Sequence, residues 1–453
     1  MTKVMAHWLG RLGDARRRHH GLRPLLAAVW RFAREQGAGA AWRRFTPFRP
    51  PAPQASETVS RLPSRTAHEQ AAPRSADQWM SRAPGVLLVG HPYLISGRGE
   101  DVRTAAAAIA GQGMPFHIRN TFDAGQENQA RFPNFRYFDR IAREQRYRAN
   151  LCVLNADEMI PARNHLGTDL FDGGYNIGYW AWELSNFPEA WLPSLDVVDE
   201  VWAPSRFIQQ AVAAKTSRPV VRMPLIVEPE DVQMERQYFG LPERCFLFLF
   251  FFDFSSFIAR KNPWAVIDAF RRAFPETSGD EVGLVIKLNG GQLRPEDYQE
   301  FLARDEIRRP GIWIIDEVLS DPEIRGLMGC CDAFVSLHRA EGFGRGPAEA
   351  MYYGKPVIAT GYSGNLDFCN ELNACVVDYR LVPVLDGEYP HGDGQIWADA
   401  DVEQASWYMR KLVAEPDYGA RIGACGAETI RMLNSSAAVG QRYAARLRAL
   451  DLI

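Results

Sequence analysis

Residues 333–360 read AFVSLHRAEGFGRGPAEAMYYGKPVIAT. The apolar run Ala333–Leu337 predicts a strand, and Gly342, Gly344 and Gly346 predict a loop whose backbone can approach a ligand closely. Pro347–Tyr353 predicts a helix, with Pro347 suited to the first helical position and Gly354 to the residue just past the end. Lys355–Ala359 then predicts a second strand. A strand, a glycine loop and a helix in this order aim free N–H groups and a helix dipole at the loop, which makes an anion site where a diphosphate would fit.

The same alternation extends outward. Cys245–Phe252, Gly283–Leu288 and Ile312–Ile315 are apolar runs separated by helical segments at Ala265–Phe274, Tyr298–Leu302 and Glu323–Met328. Before them, Val86–Val89, Leu151–Leu154, Ile177–Ala181 and Val198–Ala203 form an earlier series, with an Ala-rich helix at Val102–Ala110. Strands this uniformly apolar are buried on both faces, as parallel strands covered by helices must be. Two series of comparable length, joined by a hinge at Pro224–Glu230, predict an α/β fold with two Rossmann-like doubly wound domains facing across a cleft. The expected division is 1–45, a basic helical extension; 46–84, a Pro-rich linker; 85–230, the first domain; 231–434, the second; and 435–453, a helix crossing back to the first.

Composition narrows the class. The 453 residues are 46% hydrophobic and 24% charged, ordinary for a globular protein and unlike a disordered or collagenous one. Seven scattered cysteines without a C-x-x-C pair support neither a disulfide framework nor a zinc ribbon, and a reducing, cytoplasmic compartment fits them. No apolar run approaches the 18 or so residues of a membrane span, and the N-terminus lacks the core of a signal peptide. Residues 1–50 hold eleven Lys and Arg against Asp14 and Glu35, +9, so the remainder carries −12 of the overall −3. A basic head on an acidic body argues against nucleic acid as a partner of the body. Trp8, Leu9, Leu12, Leu25, Leu26, Val29 and Trp30 lie at helical spacing in that head. It reads either as an amphipathic pair lying on anionic lipid at the inner face of the cytoplasmic membrane, or as a helical hairpin packed on the body or on a neighbouring subunit.

Two carboxylates flank the glycine loop. Glu341, at the strand end, can accept hydrogen bonds from sugar hydroxyls, and Glu349, in the first helical turn, can reach a ribose. Singly, each would more often favour a helix dipole or stay solvated. Together around three glycines they resemble the E-x7-E element of retaining glycosyltransferases of the two-Rossmann (GT-B) architecture, family 4. The phrase from Glu341 to Thr360 is similar to that family almost word for word.

The resemblance implies a nucleoside diphosphate sugar held by the second domain and an acceptor held by the first. Relatives supply an Arg and a Lys to the donor phosphates from the loop after the second domain's first strand. Lys261 matches that Lys through its Lys-Asn-Pro context, and Ser256 stands where the Arg is usual, with Arg260 as a substitute. Fixed cations there stabilise the charge gained by the leaving diphosphate. Glu341, Lys261 and Glu349 are thus the implied catalytic residues. Ser256, Arg260, Gly342, Phe343, Gly344 and Asn365 join them in donor binding; Asn365 also suits an Asx turn, and Lys287 either faces the cleft or is solvated.

Gly97, Gly99 and Glu100 make a Gly-x-Gly turn on the acceptor or phosphate side, although a lone Gly-x-Gly equally suits a dinucleotide site. Trp182 and Glu183, read as the end of a strand, would stack on an acceptor sugar and accept its hydroxyl hydrogen bonds. The stretches Tyr179–Pro188, Tyr362–Phe368 and Trp397–Asp401 resemble a bacterial polysaccharide-assembly subgroup. No His/Asp/Glu cluster has metal-ligand spacing, so neither metal nor other cofactor is expected. The implied activity is transfer of a hexose to a growing glycan or lipid-linked sugar. An epimerase on the same architecture and a non-catalytic nucleotide-sugar scaffold stay open beside it.

Overall fold

The computed structural model describes residues 74–453, apart from Asp123, Ala124 and Pro133. The basic extension 1–45 and the linker as far as residue 73 lie outside the described residues. The earlier series of strands is β1 (Ala83–Gly90), β2 (Phe116–Asn120), β3 (Tyr147–Cys152), β4 (Tyr175–Tyr179), β5 (Glu200–Ala203) and β6 (Val220–Arg222). They pair in parallel in the order β2-β1-β3-β4-β5-β6. The second series is β7 (Phe246–Asp253), β8 (Val282–Asn289), β9 (Ile312–Ile315), β10 (Ala333–Ser336), β11 (Val357–Thr360) and β12 (Cys375–Val377), ordered β12-β11-β10-β7-β8-β9, again all parallel.

β7 shows why these runs become such sheets. Leu247 and Leu249 enter one buried cluster, while Phe248, Phe250 and Phe252 enter another with Val266 and Phe270 of the Pro263–Ala273 helix. Neighbouring side chains point to opposite faces and both faces are covered, the condition a parallel strand imposes. In each sheet the chain reverses direction of growth once, between β1 and β3 and between β7 and β10. The carboxyl ends of the strands at such a switch point are where an open α/β sheet leaves a crevice.

An antiparallel hairpin, β13 (Tyr379–Pro383) with β14 (Ile396–Ala400), leaves the second sheet; Val384 and Trp397 bury themselves in an apolar cluster of the first domain. The Ser436–Ala449 helix lies on the Gly97–Gly111 helix through Val439, Tyr443 and Leu447. Beyond it, the Leu452 carbonyl accepts a hydrogen bond from Gly85 N at 3.0 Å. No described helix is long and apolar enough to cross a membrane.

Two expectations need correcting. Residues 74–84, read as linker, belong to the body: a short helix spans Asp77–Met80, β1 begins at Ala83, and Arg74 pairs with Asp199 and donates to the carbonyls of Phe171 (2.7 Å) and Gly174 (2.8 Å). One guanidinium with that many acceptors fixes a segment whose composition alone reads as unstructured. β2, β6 and β12 were not anticipated; each is a short strand at the edge of its sheet, where a continuous apolar run is not required.

Candidate active site

The segment after β7 turns sharply. Phe257 (φ 65°) and Asn262 (φ 54°) both take left-handed conformations around the turn Ile258–Lys261. Asn262 is held there by donating its Nδ2 to the Leu337 carbonyl at 3.0 Å, just beyond β10. Backbone strain of this kind persists where surrounding contacts over-determine it. Its result is to set Lys261 against Glu341: Nζ lies 2.5 Å from Oε1. Arg260 meets the other oxygen at 3.1 Å and also donates to the carbonyls of Ala340 and Ser256. Burial would raise the Glu341 carboxyl, but Lys261 and Arg260 overcome it and hold the group at about 2. Burial pulls the Lys261 ammonium below its ordinary value despite Glu341.

The backbone of Glu341 is fixed as firmly. Its N–H donates to Ser363 Oγ at 2.8 Å, and its carbonyl accepts from Gly364 N at 2.8 Å. Behind it, His338 bonds Ser336 Oγ at 3.0 Å and Asn365 Oδ1 at 3.1 Å, all buried.

The loop continues into the Arg345–Tyr352 helix. Gly344 caps it at φ +94° and supplies no side-chain acceptor, so the first-turn N–H groups face the loop without an intrahelical partner. Beside them runs a cavity of about 390 Å³, within the range of small-molecule sites. Its wall includes Ser256, Lys261, Lys287, Glu341, Arg345, Gly346 and Glu349 from the second domain, with Gly97, Glu100 and Arg103 from the first. Burial raises the Glu349 carboxyl to about 7 although Arg345 lies 3.6 Å away.

Residues 255–383 match the family model described as glycosyl transferases group 1. They run from the loop of Lys261 through Glu341 and Glu349 to the end of β13. No match was found among curated proteins. Among solved structures, this chain is similar to Anabaena HepE in complex with UDP and glucose, at 14% identity and TM-score 0.59, covering 81% of this chain and 100% of that one. It is also similar to a glycosyltransferase from Rickettsia africae, at 14% identity and TM-score 0.57, with 81% and 98% covered. Sucrose-phosphate synthase from Thermosynechococcus elongatus gives 14% identity and TM-score 0.55, with 82% and 99% covered. The shared fold is the two-domain Rossmann-like GT-B architecture. Together with the matched domain it supports a glycosyltransferase.

The geometry redistributes several expected roles. Pro347 is the third residue of its helix, which begins at Arg345, so Glu349 sits in the second turn. Gly342 serves a protein contact: a Cβ there would come within 2.8 Å of the Trp182 carbonyl, and its own carbonyl accepts from Ser205 Oγ at 2.5 Å. Phe343 is buried against Phe368. Asn365, also buried, donates to the Thr360 carbonyl at 2.9 Å, so it braces the loop rather than lining the cavity. Arg260 turns inward to Glu341 and the backbone, and does not stand on the cavity wall where the missing Arg would have been.

On the first domain, Gly97 and Gly99 form no free turn. They open the Gly97–Gly111 helix, capped by Ser96, and a Cβ on Gly99 would lie 2.0 Å from the Leu94 carbonyl. Glu100 stands on the wall and pairs with Arg103 at 3.0 Å. Trp182 lies past the end of β4, 2% exposed, packed on Trp191 with its Nε1 donating to Asn186 O at 2.9 Å. It has no free face for a sugar. Glu183 accepts from Tyr389 of the hairpin at 2.7 Å.

Arg103, Arg325 and Arg345 were not anticipated. Arg325 lies 3.8 Å from Glu100 and 3.5 Å from Glu230, and Arg345 pairs with Asp101 across the two domains. Arg345 lies inside the glycine loop, between Gly344 and Gly346, but Arg103 and Arg325 come from separate segments, and only the fold brings the three together. Among the described residues no group of three or more His, Cys, Asp or Glu is placed to hold a metal ion. Asp399 and Asp401, an Asp-x-Asp pair, instead bind Arg380 (2.8 Å) and cap the Val402–Ala414 helix.

Proposed function

We propose that the protein is a retaining hexosyltransferase that moves a sugar from a nucleoside diphosphate donor to a growing bacterial glycan. The observation that carries this reading is the Lys261–Glu341 pair at the β7/β10 switch point, beside an uncapped helix N-terminus and a cavity of ligand size. HepE, of the same fold, is described in complex with UDP-glucose, which agrees with such a donor.

On this reading the diphosphate lies between Lys261 and the first-turn N–H groups of the Arg345–Tyr352 helix. As the glycosidic bond breaks, negative charge grows on the leaving oxygen, and a cation and a dipole fixed in advance stabilise it without reorganising. Glu341, ionised by its cationic neighbours, accepts hydrogen bonds from donor-sugar hydroxyls, and Glu349 reaches the ribose. The acceptor hydroxyl attacks from the face that the diphosphate leaves, passing its proton to the departing phosphate oxygen. Closure of the domains excludes water, the competing acceptor. No metal is required, so transfer is expected to persist in chelator.

The test is release of nucleoside diphosphate from UDP-, GDP-, ADP- and dTDP-hexoses with bacterial glycan extracts, followed by NMR of the product's anomeric centre. Transfer with the donor's configuration kept is the expected result, and an inverted product overturns the retaining assignment. An epimer and free diphosphate from donor alone would point to an epimerase. Binding without turnover would favour the scaffold, a reading kept in view by Ser256 in place of the usual Arg. The pattern of residues 1–45 fits an anionic membrane surface. Deleting them should abolish sedimentation with anionic liposomes and leave donor binding intact; unchanged sedimentation removes the membrane contact.

A further inference from the structure

One cation on the cavity wall has no part in the scheme above. Lys287 lies two residues before the carboxyl end of β8, is 3% exposed, and lines the cavity. Its ammonium has three N–H donors; one goes to the Leu288 carbonyl, and it forms no ion pair with another described residue. Asp316 and Asp253 act on it only through space. A buried ammonium with donors unspent beside a cavity is a group that gains from a ligand acceptor.

Its position says which part of a ligand arrives there. The order β10-β7-β8 puts Lys287 two strands from the Glu341 loop, about 10 Å at the usual strand spacing. A diphosphate held over β7 and β10 therefore stops short of it. The wall around this end adds Val318 and Leu319, apolar, and Asn289. A flat ring with a polar edge suits that lining.

We infer that the Lys287 ammonium donates to an exocyclic carbonyl oxygen on the edge of the donor's base, so that the cleft selects uracil, thymine or guanine over adenine. Adenine carries an amino donor at the corresponding position, which would face N–H against N–H and leave the cation buried without an acceptor. This inference rests on the cavity being the nucleotide-sugar site.

Calorimetric titration of the full-length protein with UDP, GDP and ADP tests it. UDP or GDP is expected to bind about 10- to 100-fold tighter than ADP, the range of one charge-assisted hydrogen bond. Lys287→Met, of similar volume and no charge, is expected to shrink that gap to about threefold or less with ADP affinity kept. Equal affinity for all three in the wild type overturns the inference. So does an equal loss for all three in Lys287→Met, which would put the ammonium on the phosphates, and so does a preference that survives the substitution. Should Lys287→Met fail to fold, Lys287→Leu, which also removes every donor, takes its place, and the wild-type ranking stands as an independent arm. If none of the three binds the wild type, it is the nucleotide-sugar reading itself that fails.

Discussion

Glu341 and Glu349 are the same residue type, eight positions apart, and the fold pushes their carboxyls in opposite directions, to about 2 and about 7. The difference is in the company each keeps. Glu341 touches two cations, Lys261 and the buried Arg260, whereas Glu349 has one arginine at 3.6 Å and loses more to desolvation than it regains. The two contribute to stability in opposite pH windows. A group lowered by folding stabilises above its ordinary pKa, so the Glu341 contribution is present at neutral pH and is lost as pH falls from 4.5 towards 2. A group raised by folding stabilises below its ordinary pKa, so the Glu349 contribution is full below 4.5 and gone once pH passes about 7. Glu341→Gln leaves Lys261 and Arg260 without their counter-charge, and urea unfolding at pH 7.5 should show a loss of about 3 kcal/mol. Glu349→Gln should instead gain roughly 2–3 kcal/mol at pH 8, a gain that shrinks on titrating to pH 5, while donor affinity falls. A Glu349→Gln protein no more stable than wild type at pH 8 would refute the raised carboxyl.

At the scale of elements, the loop of Glu341 is held by a second loop. Residues 361–367 supply Ser363 Oγ and Gly364 N to its backbone, and Gly364 lies so close that a Cβ would come within 2.0 Å of the Gly342 carbonyl. Gly364→Ala should therefore displace Glu341, weakening the thermal shift given by UDP at least about tenfold in apparent affinity, with circular dichroism unchanged; full affinity in that variant would show the buttress to be dispensable. What was legible in the sequence follows the same division. Central strands such as β7 and β8 announce themselves because both faces are buried, whereas β2, β6 and β12 at the edges carry no such run. Lys261, Glu341 and Glu349 were legible because a glycine loop and a helix start confine them to short segments. Arg103, Arg325 and Arg345 meet only through the folded topology, and Trp182 reads as a stacking platform until its packing on Trp191 and Tyr389 is seen. An aromatic residue in a sequence says that area is buried, not by what.

Over the whole molecule, the chain's last segment belongs to its first domain. Val439, Tyr443 and Leu447 cover the Gly97–Gly111 helix, and Asn434 ties back to the connecting segment through the Leu225 carbonyl at 2.8 Å. Deletion after residue 434 should uncover that apolar face and send the protein to the insoluble fraction on expression, whereas a soluble, UDP-binding truncation would show the brace to be peripheral. The arrangement also has a consequence for synthesis. Gly85 emerges early from the ribosome, but the carbonyl that accepts its N–H belongs to Leu452. At about 5–20 residues per second, roughly 20–70 s separate the two. Throughout that interval the first sheet and its helix Gly97–Gly111 wait with an open apolar flank, a natural client surface for chaperones, and the nascent chain seals it only once residues 436–452 have left the ribosome.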